Sequence, residues 1–168
     1  KVYECRTLLS DMFNCRTENV VFTFNTTYAL NMAIQGILRD GDHVIISNLE
    51  HNSVLRPIHN AHIRKKVEYT IFDAYCGGFA TTEKILSNIR QATRKNTRAL
   101  VCTHASNICS SKLPLKEIGE YCSRHGIIFI VDGAQSAGHE YINMEQMNID
   151  ILCMPAHKGL FGLQGCGV

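Results

Sequence analysis

The sequence predicts an α/β fold: three layers, α/β/α, built around a mainly parallel sheet. Two observations carry that expectation. Runs such as Ile127-Ile128-Phe129-Ile130-Val131 are apolar at every position, the pattern of strands covered on both faces. These runs alternate along the chain with stretches of helical, 3.6-residue periodicity, the order expected of parallel strands joined by helical crossovers. The size agrees, since 168 residues, 45% of them hydrophobic, suffice for one domain with its own core.

In chain order, Val2, Cys5, Leu8, Leu9, Met12 and Phe13 give residues 1–14 a helical pattern that lacks an N-cap. A first strand follows at 20–24, then a helix over 28–38 marked by Leu30, Ile34 and Ile37. Gly41-Asp42 makes a turn into a strand at 43–47, and a helix over 53–64 leads to a strand at 67–72. Residues 74–79 read as a loop, before a helix over 82–94 and a strand at 99–103. Pro114 suits the first turn of a helix and Gly126 the residue just past its end, which frames 115–125. Strands at 127–131 and 151–154 complete the set. The chain begins inside a helical pattern and stops at Gly167-Val168, where a strand starts. The expectation is a piece of a longer protein.

A formal net charge of +2 gives no basis for nucleic-acid binding. The densest basic cluster, Arg64-Lys65-Lys66, reads as a solvated helix end. No apolar run is long enough to span a membrane, and no signal-peptide pattern opens the chain. Of eight cysteines, none forms a C-x-x-C pair, and Cys102, Cys153 and Cys166 lie in or beside apolar runs while Cys122 falls on a helix pattern. Free cysteine behaves there as a small hydrophobe, so a reducing, cytoplasmic setting is expected. His59 and His62 share a helix face without a third ligand, and no metal site is expected.

In an open parallel sheet, ligands bind beyond the carboxyl ends of the strands. Asn25-Thr26-Thr27, Leu49-Glu50-His51-Asn52, His104-Ala105-Ser106-Asn107, Asp132-Gly133-Ala134-Gln135 and His157-Lys158 all follow predicted strands. Each alone is ordinary loop chemistry, but five on one rim make a site. Thr26 and Thr27 cap the next helix, hold a phosphate on its exposed amides, or do both. His51 is a structural hydrogen-bonder or stacks on an aromatic cofactor. Asp132 is a turn aspartate in Asp-Gly, or a buried carboxylate that needs a cation. Lys158 and Asp132 both close buried strands, which suits a Schiff-base lysine and a carboxylate on a cofactor's ring nitrogen. Gln135, on the same loop as Asp132, reaches a ring oxygen in that reading.

These segments resemble those of class V aminotransferases of fold type I, particularly the cysteine desulfurase and selenocysteine lyase branch. The matching stretches are Asn25-Thr26-Thr27-Tyr28-Ala29-Leu30-Asn31, Leu49-Glu50-His51-Asn52-Ser53, Thr103-His104-Ala105-Ser106-Asn107, Val131-Asp132-Gly133-Ala134-Gln135 and Ala156-His157-Lys158-Gly159. The resemblance implies the large domain of a pyridoxal 5'-phosphate-dependent transferase over residues 1–168, without the small carboxy-terminal domain and the amino-terminal segment. It implies that Lys158 carries the cofactor and later moves the substrate's α-proton. It also implies that Asp132 pairs with the pyridinium nitrogen, Gln135 bonds the ring's phenolic oxygen and His51 stacks on the ring. Thr26, Thr27 and His157 would hold the phosphate, and Asn107 would lie near the substrate carboxylate or the ring oxygen. A small amino-acid substrate, a homodimer in the full-length protein and a sulfur-acceptor protein are implied as partners.

Two positions depart from the family's pattern. Pro155 stands where a serine or threonine often contacts the phosphate, and Asn25 stands where a glycine commonly precedes the threonines. Asparagine tolerates left-handed backbone, so the turn is expected to survive. The expected reaction is sulfur abstraction from L-cysteine, giving alanine; the alternative is an aminotransferase acting on a small amino acid. A hydrolase or metal enzyme built from His104, Asp132 and His157 lacks the spacing of H-E-x-x-H or G-x-S-x-G. A folded scaffold without turnover is the third possibility for the isolated 168 residues.

Overall fold

The computed structural model describes residues 1–74, 80–109 and 111–168. The loop expected at 74–79 falls, apart from Ala74, outside the described residues. Five strands form the sheet: β1 (His43–Ser47), β2 (Glu68–Phe72), β3 (Thr97–Thr103), β4 (Ile128–Asp132) and β5 (Ile151–Cys153). Their order is β2-β1-β3-β4-β5 and every neighbouring pair is parallel. The predicted α/β class therefore holds, and all strand carboxyl ends share one edge. Strand order reverses between β1 and β3, the place where such sheets open a crevice.

The helices are α1 (Val2–Phe13), α2 (Thr26–Ile37), α3 (Asn52–Lys65), α4 (Thr82–Ala92) and α5 (Leu115–His125). Side chains along a strand alternate between faces, and the two core clusters separate accordingly. Val44, Ile46, Val101 and Ile130 pack with Leu30 and Ile34 of α2 and Val54 and Ile58 of α3. Ile45, Leu100, Phe129 and Val131 pack on the other face with Ile85 and Ile89 of α4 and Ile118 of α5. That double burial is why these strands read as unbroken apolar runs.

The predicted strand at 20–24 does not form. Thr23 alone pairs there, exchanging two 2.8 Å backbone hydrogen bonds with Gly167. The Val20 N–H is used to close a short 3-10 turn on Thr17, and Val21 and Phe24 are exposed. Of this segment only Val20 is buried, so little draws it into the sheet. Asn25-Thr26-Thr27 thus reach the rim from the start of a helix rather than from a strand end. Asn25 itself is extended, with φ −173°, so the left-handed turn allowed for at this position is not used.

Two smaller readings also change. Lys65 is not merely solvated: its Nζ donates to the carbonyls of Gln35 and Leu38, both at 2.8 Å, and so closes the end of α2. The last turn of α2 has no basic residue of its own, and a neighbour's ammonium satisfies its free carbonyls and dipole. Cys166 is exposed, whereas Cys102, Cys122 and Cys153 are buried; burial pushes the Cys122 and Cys153 thiols up to about 12.

Glycine is required where α5 meets the segment before β5. A Cβ on Gly119 would stand 1.8 Å from the Met147 carbonyl oxygen, while one on Gly36 of α2 would meet nothing within 4 Å. Gly119→Ala is expected to destabilise the fold by about 1–3 kcal/mol through overpacking. Gly36→Ala is expected to stabilise it by roughly 0.5–1 kcal/mol through helix propensity. Urea denaturation of the two variants checks the opposite signs; equal effects would contradict the packing at α5.

Candidate active site

A cleft of about 210 Å³ opens at the carboxyl edge of the sheet. Thr26, Thr27, His51, Asn107, Asp132, Gln135, His157 and Lys158 all line it. The eight residues singled out from the sequence are therefore gathered from five separate segments onto one surface. Pro155 lines it too and brings no hydroxyl. Ser53 and Thr103 also contribute, although the sequence reading gave them no role. The signal for both was positional: Ser53 lies two residues past His51, and Thr103 ends β3 at the switch point.

One end of the cleft is the N-terminus of α2. Asn25 caps the helix, its Oδ1 accepting from the Tyr28 N–H at 2.9 Å. Capping consumes the third amide of the first turn and leaves those of Thr26 and Thr27 without an intrahelical acceptor. Thr26 is buried and Thr27 exposed. Two amides, two hydroxyls and the positive end of a helix dipole make this end a place for an anion.

His51 holds a defined orientation. It is the N-cap of α3, and its Nδ1 accepts from the Ser53 N–H at 3.1 Å, with the Ser53 hydroxyl at 2.8 Å. Accepting a backbone proton at Nδ1 leaves Nε2 as the protonated nitrogen of the neutral ring.

Asp132 ends β4 and is 2% exposed. One oxygen, Oδ1, accepts from the Ala134 N–H at 2.9 Å. Burial pushes its carboxyl above the usual range, while the Ala134 amide and the positive fields of His51 and Lys158 pull it back. Such a carboxyl favours a cation placed against it. Lys158 is exposed to the cleft, and among the described residues it has no ion-pair partner.

The spacing of Lys158 from the Asp132 loop is set by backbone contact. A Cβ on Gly138 would come within 2.3 Å of the Gly159 carbonyl oxygen, and one on Gly159 within 2.2 Å of the Ala137 oxygen. Gly138 also has φ +85°, open to glycine at little cost. The turn that carries Lys158 is thereby pressed directly onto the loop that carries Gln135.

The trio His104, Asp132 and His157 does not assemble. His104 is 5% exposed and absent from the cleft lining, and its Nδ1 is buried without a partner. Among the described residues, no three His, Cys, Asp or Glu side chains stand together as a metal site.

Burial pushes His104 down to about 4, against the pull of Glu140, and also lowers His43, whose ring nitrogens meet the Thr97 and Thr70 hydroxyls at 2.8 and 2.9 Å. Both folded values lie below the unfolded 6.5, so the unfolded chain takes up protons first as pH falls. The His104 contribution to stability is complete above pH 6.5 and is lost as pH falls through about 4, and that of His43 is lost in the same direction. His104→Gln is expected to flatten this acid slope, with His43 keeping part of it. Urea midpoints at several pH values between 4 and 7 measure the slope, and an unchanged slope would remove His104 from the account.

The profile of the family described as aminotransferase class-V matches residues 1–168. A probable cysteine desulfurase of Methanothermobacter thermautotrophicus is 32% identical over 169 residues, which are 99% of this chain and 41% of that protein. The cysteine desulfurase IscS of Shewanella denitrificans is also 32% identical, over 96% of this chain and 40% of its own. Among solved structures, the apo cysteine desulfurase of Thermococcus onnurineus NA1 superposes with a TM-score of 0.86 at 28% identity, covering 98% of this chain and 41% of that one. SspA in complex with cysteine superposes with a TM-score of 0.87 at 26% identity, covering 99% and 47%. The chain spans about two fifths of the length of the curated relatives it matches. Sequence and fold agree that the chain belongs to the class V aminotransferase family.

Proposed function

We propose that these 168 residues form the pyridoxal 5'-phosphate-binding large domain of a cysteine desulfurase, which takes sulfur from L-cysteine and leaves alanine. One observation carries the reading: a single cleft brings together an unpaired lysine, a buried carboxylate, an oriented histidine and the amide end of a helix. That donor set matches the cofactor group by group. The phosphate suits the N-terminus of α2, the protonated ring nitrogen suits Asp132, and the aldehyde suits the Lys158 amine. The names of the relatives support the choice of cysteine as substrate.

When bound, pyridoxal phosphate supplies an electron sink that acidifies the substrate's α-carbon. The remaining work belongs to the chain. Lys158 Nζ would hold the cofactor and would serve as the base that moves the substrate's α-proton. Asp132 would hold the cofactor's protonated ring nitrogen, a cation that would offset the cost of burying its charge. Gln135 would donate to the ring oxygen, and His51, oriented by Ser53, would lie against the ring. Thr26, Thr27 and His157 take the phosphate. Pro155 cannot contribute a hydroxyl, so the α2 amides carry more of that load. Asn107 faces the substrate carboxylate or the ring oxygen. The proposal extends to a cytoplasmic homodimer that passes sulfur to an acceptor protein.

The full-length protein tests this directly. Incubation with pyridoxal phosphate and borohydride is expected to give a reduced covalent adduct in the wild type and none in Lys158→Ala. An adduct that persists in the variant would overturn the assignment of Lys158. Sulfide release from cysteine is expected, and keto-acid formation in its place would identify an aminotransferase.

A further inference from the structure

Glu50 lies between Leu49 and His51 on the loop that leaves β1, outside the cleft lining. The residue is half-buried, yet its carboxyl is turned inward. Oε1 accepts from the Ser47 hydroxyl at the end of β1 and from the Thr103 N–H at the end of β3, the latter at 2.8 Å. Oε2 is buried and, among the described residues, has no hydrogen-bond partner. The β1–β3 pairing reaches only to Ile46 and Val101, so Thr103 lies past the last paired residues. One side chain therefore joins the two strands beyond the point where their own ladder stops, at the switch point of the sheet. On either side of that joint are two groups of the cleft, His51 next to Glu50 in the chain and Thr103 across from it.

We infer that Glu50 is a positioning residue, an uncharged carboxylic acid that ties β1 to β3 and so sets His51 and Thr103 at the floor of the cleft. This deepens the proposed function and rests on it for the identity of what the cleft holds. The geometry favours the neutral form. Oε2 is buried and, among the described residues, meets no donor, so charge there would be uncompensated, a cost that outweighs the two donors favouring charge at Oε1. The titratable groups around it add no positive charge from the packed strands: Asp132 at the end of β4 repels a second carboxylate, and Cys102 lies in β3. His51 adjoins Glu50 on its own loop. Burial first, then Asp132, pushes Glu50 up to about 8, against the Ser47 and Thr103 hydrogen bonds.

The sign is opposite to that of the buried histidines. With a folded value near 8 and an unfolded value of 4.5, Glu50 contributes stability that is complete below about pH 4.5 and is lost as pH rises through about 8. A neutral amide of the same shape keeps the joint without the titration. The experiment uses the full-length protein loaded with pyridoxal phosphate, as wild type, Glu50→Gln and Glu50→Ala. Melting temperature is read at pH 6 and pH 9, with the visible circular dichroism of the bound cofactor.

At pH 6, Glu50→Gln is expected to melt close to wild type, and Glu50→Ala lower by on the order of 5 °C. Between pH 6 and pH 9 the wild type is expected to lose more than Glu50→Gln. The Ala variant is expected to show an altered cofactor dichroism that the Gln variant restores. A Gln variant as weak as the Ala variant, or parallel losses in wild type and Gln, would overturn the neutral acid. An Ala variant with wild-type dichroism would overturn the positioning role. If Glu50→Ala does not fold, the comparison of wild type with Gln across pH still decides. Should the wild type bind no pyridoxal phosphate, the functional reading fails while the two melting profiles still judge Glu50.

Discussion

The parallel pairing of five strands is the constraint on which everything else in this domain depends. It sends every strand's carboxyl end to one edge, so loops far apart in sequence must meet there. It also requires helices on both faces, because neither face can be left wet. The order β2-β1-β3-β4-β5 then decides where along that edge the loops part. Around that point stand the loop after β1, with His51, and the end of β3, with Thr103. Asp132 arrives from β4 next door.

Pairing alone does not place Lys158. The residue comes five positions after β5 ends, in a turn with no strand to hold it. Its position comes from Gly138 and Gly159, whose backbones approach too closely for any side chain between them. The other end of the same turn is tied to Thr23 through Gly167, where a Cβ would meet the Asn25 backbone at 2.5 Å. The Lys158 segment is thus clasped between the loop behind Asp132 and the start of α2. Glycines there let the backbones of three segments close on one another, which larger residues would hold apart.

What could be read from the sequence follows the same division. Apolar runs marked β1, β3, β4 and β5 because burial on both faces leaves a signal in residue type, while the edge strand β2 (Glu68–Phe72) is largely exposed. The polar residues after β1, β3, β4 and β5 marked the cleft because strand ends in such a sheet converge. The segment at 20–24 misled for a related reason: Val20-Val21-Phe22-Thr23-Phe24 has strand-like composition, but its pairing depends on a single distant partner, Gly167. Composition reports local preference, and a lone bridge is a tertiary event. Lys65, Ser53 and Thr103 were missed because they act through backbone groups, and backbone amides and carbonyls look alike at every position. Asn25 shows the same limit. It stands where a left-handed turn was allowed for, but the helix needs only its side chain as a cap.

Glu50 joins these two levels. A motif of Leu-Glu-His-Asn-Ser after a strand draws attention to the histidine, and the glutamate beside it reads as a polar loop residue. Its inward turn changes the electrostatics of the whole edge. Two carboxyl groups near one another cannot both be charged cheaply in a buried place, so one must give way. Asp132 has an amide donor and the positive fields of His51 and Lys158 to favour its charge, whereas Glu50 has two donors on Oε1 but, among the described residues, none on its buried Oε2. The environment therefore separates the two: Asp132 is the one able to answer a cation, and Glu50 is the one able to remain neutral. A charged Glu50 would compete for that cation, and burial and Asp132 oppose that charge more than the Ser47 and Thr103 donors favour it. The neutrality of Glu50 and the charge on Asp132 are thus linked at one edge of the sheet.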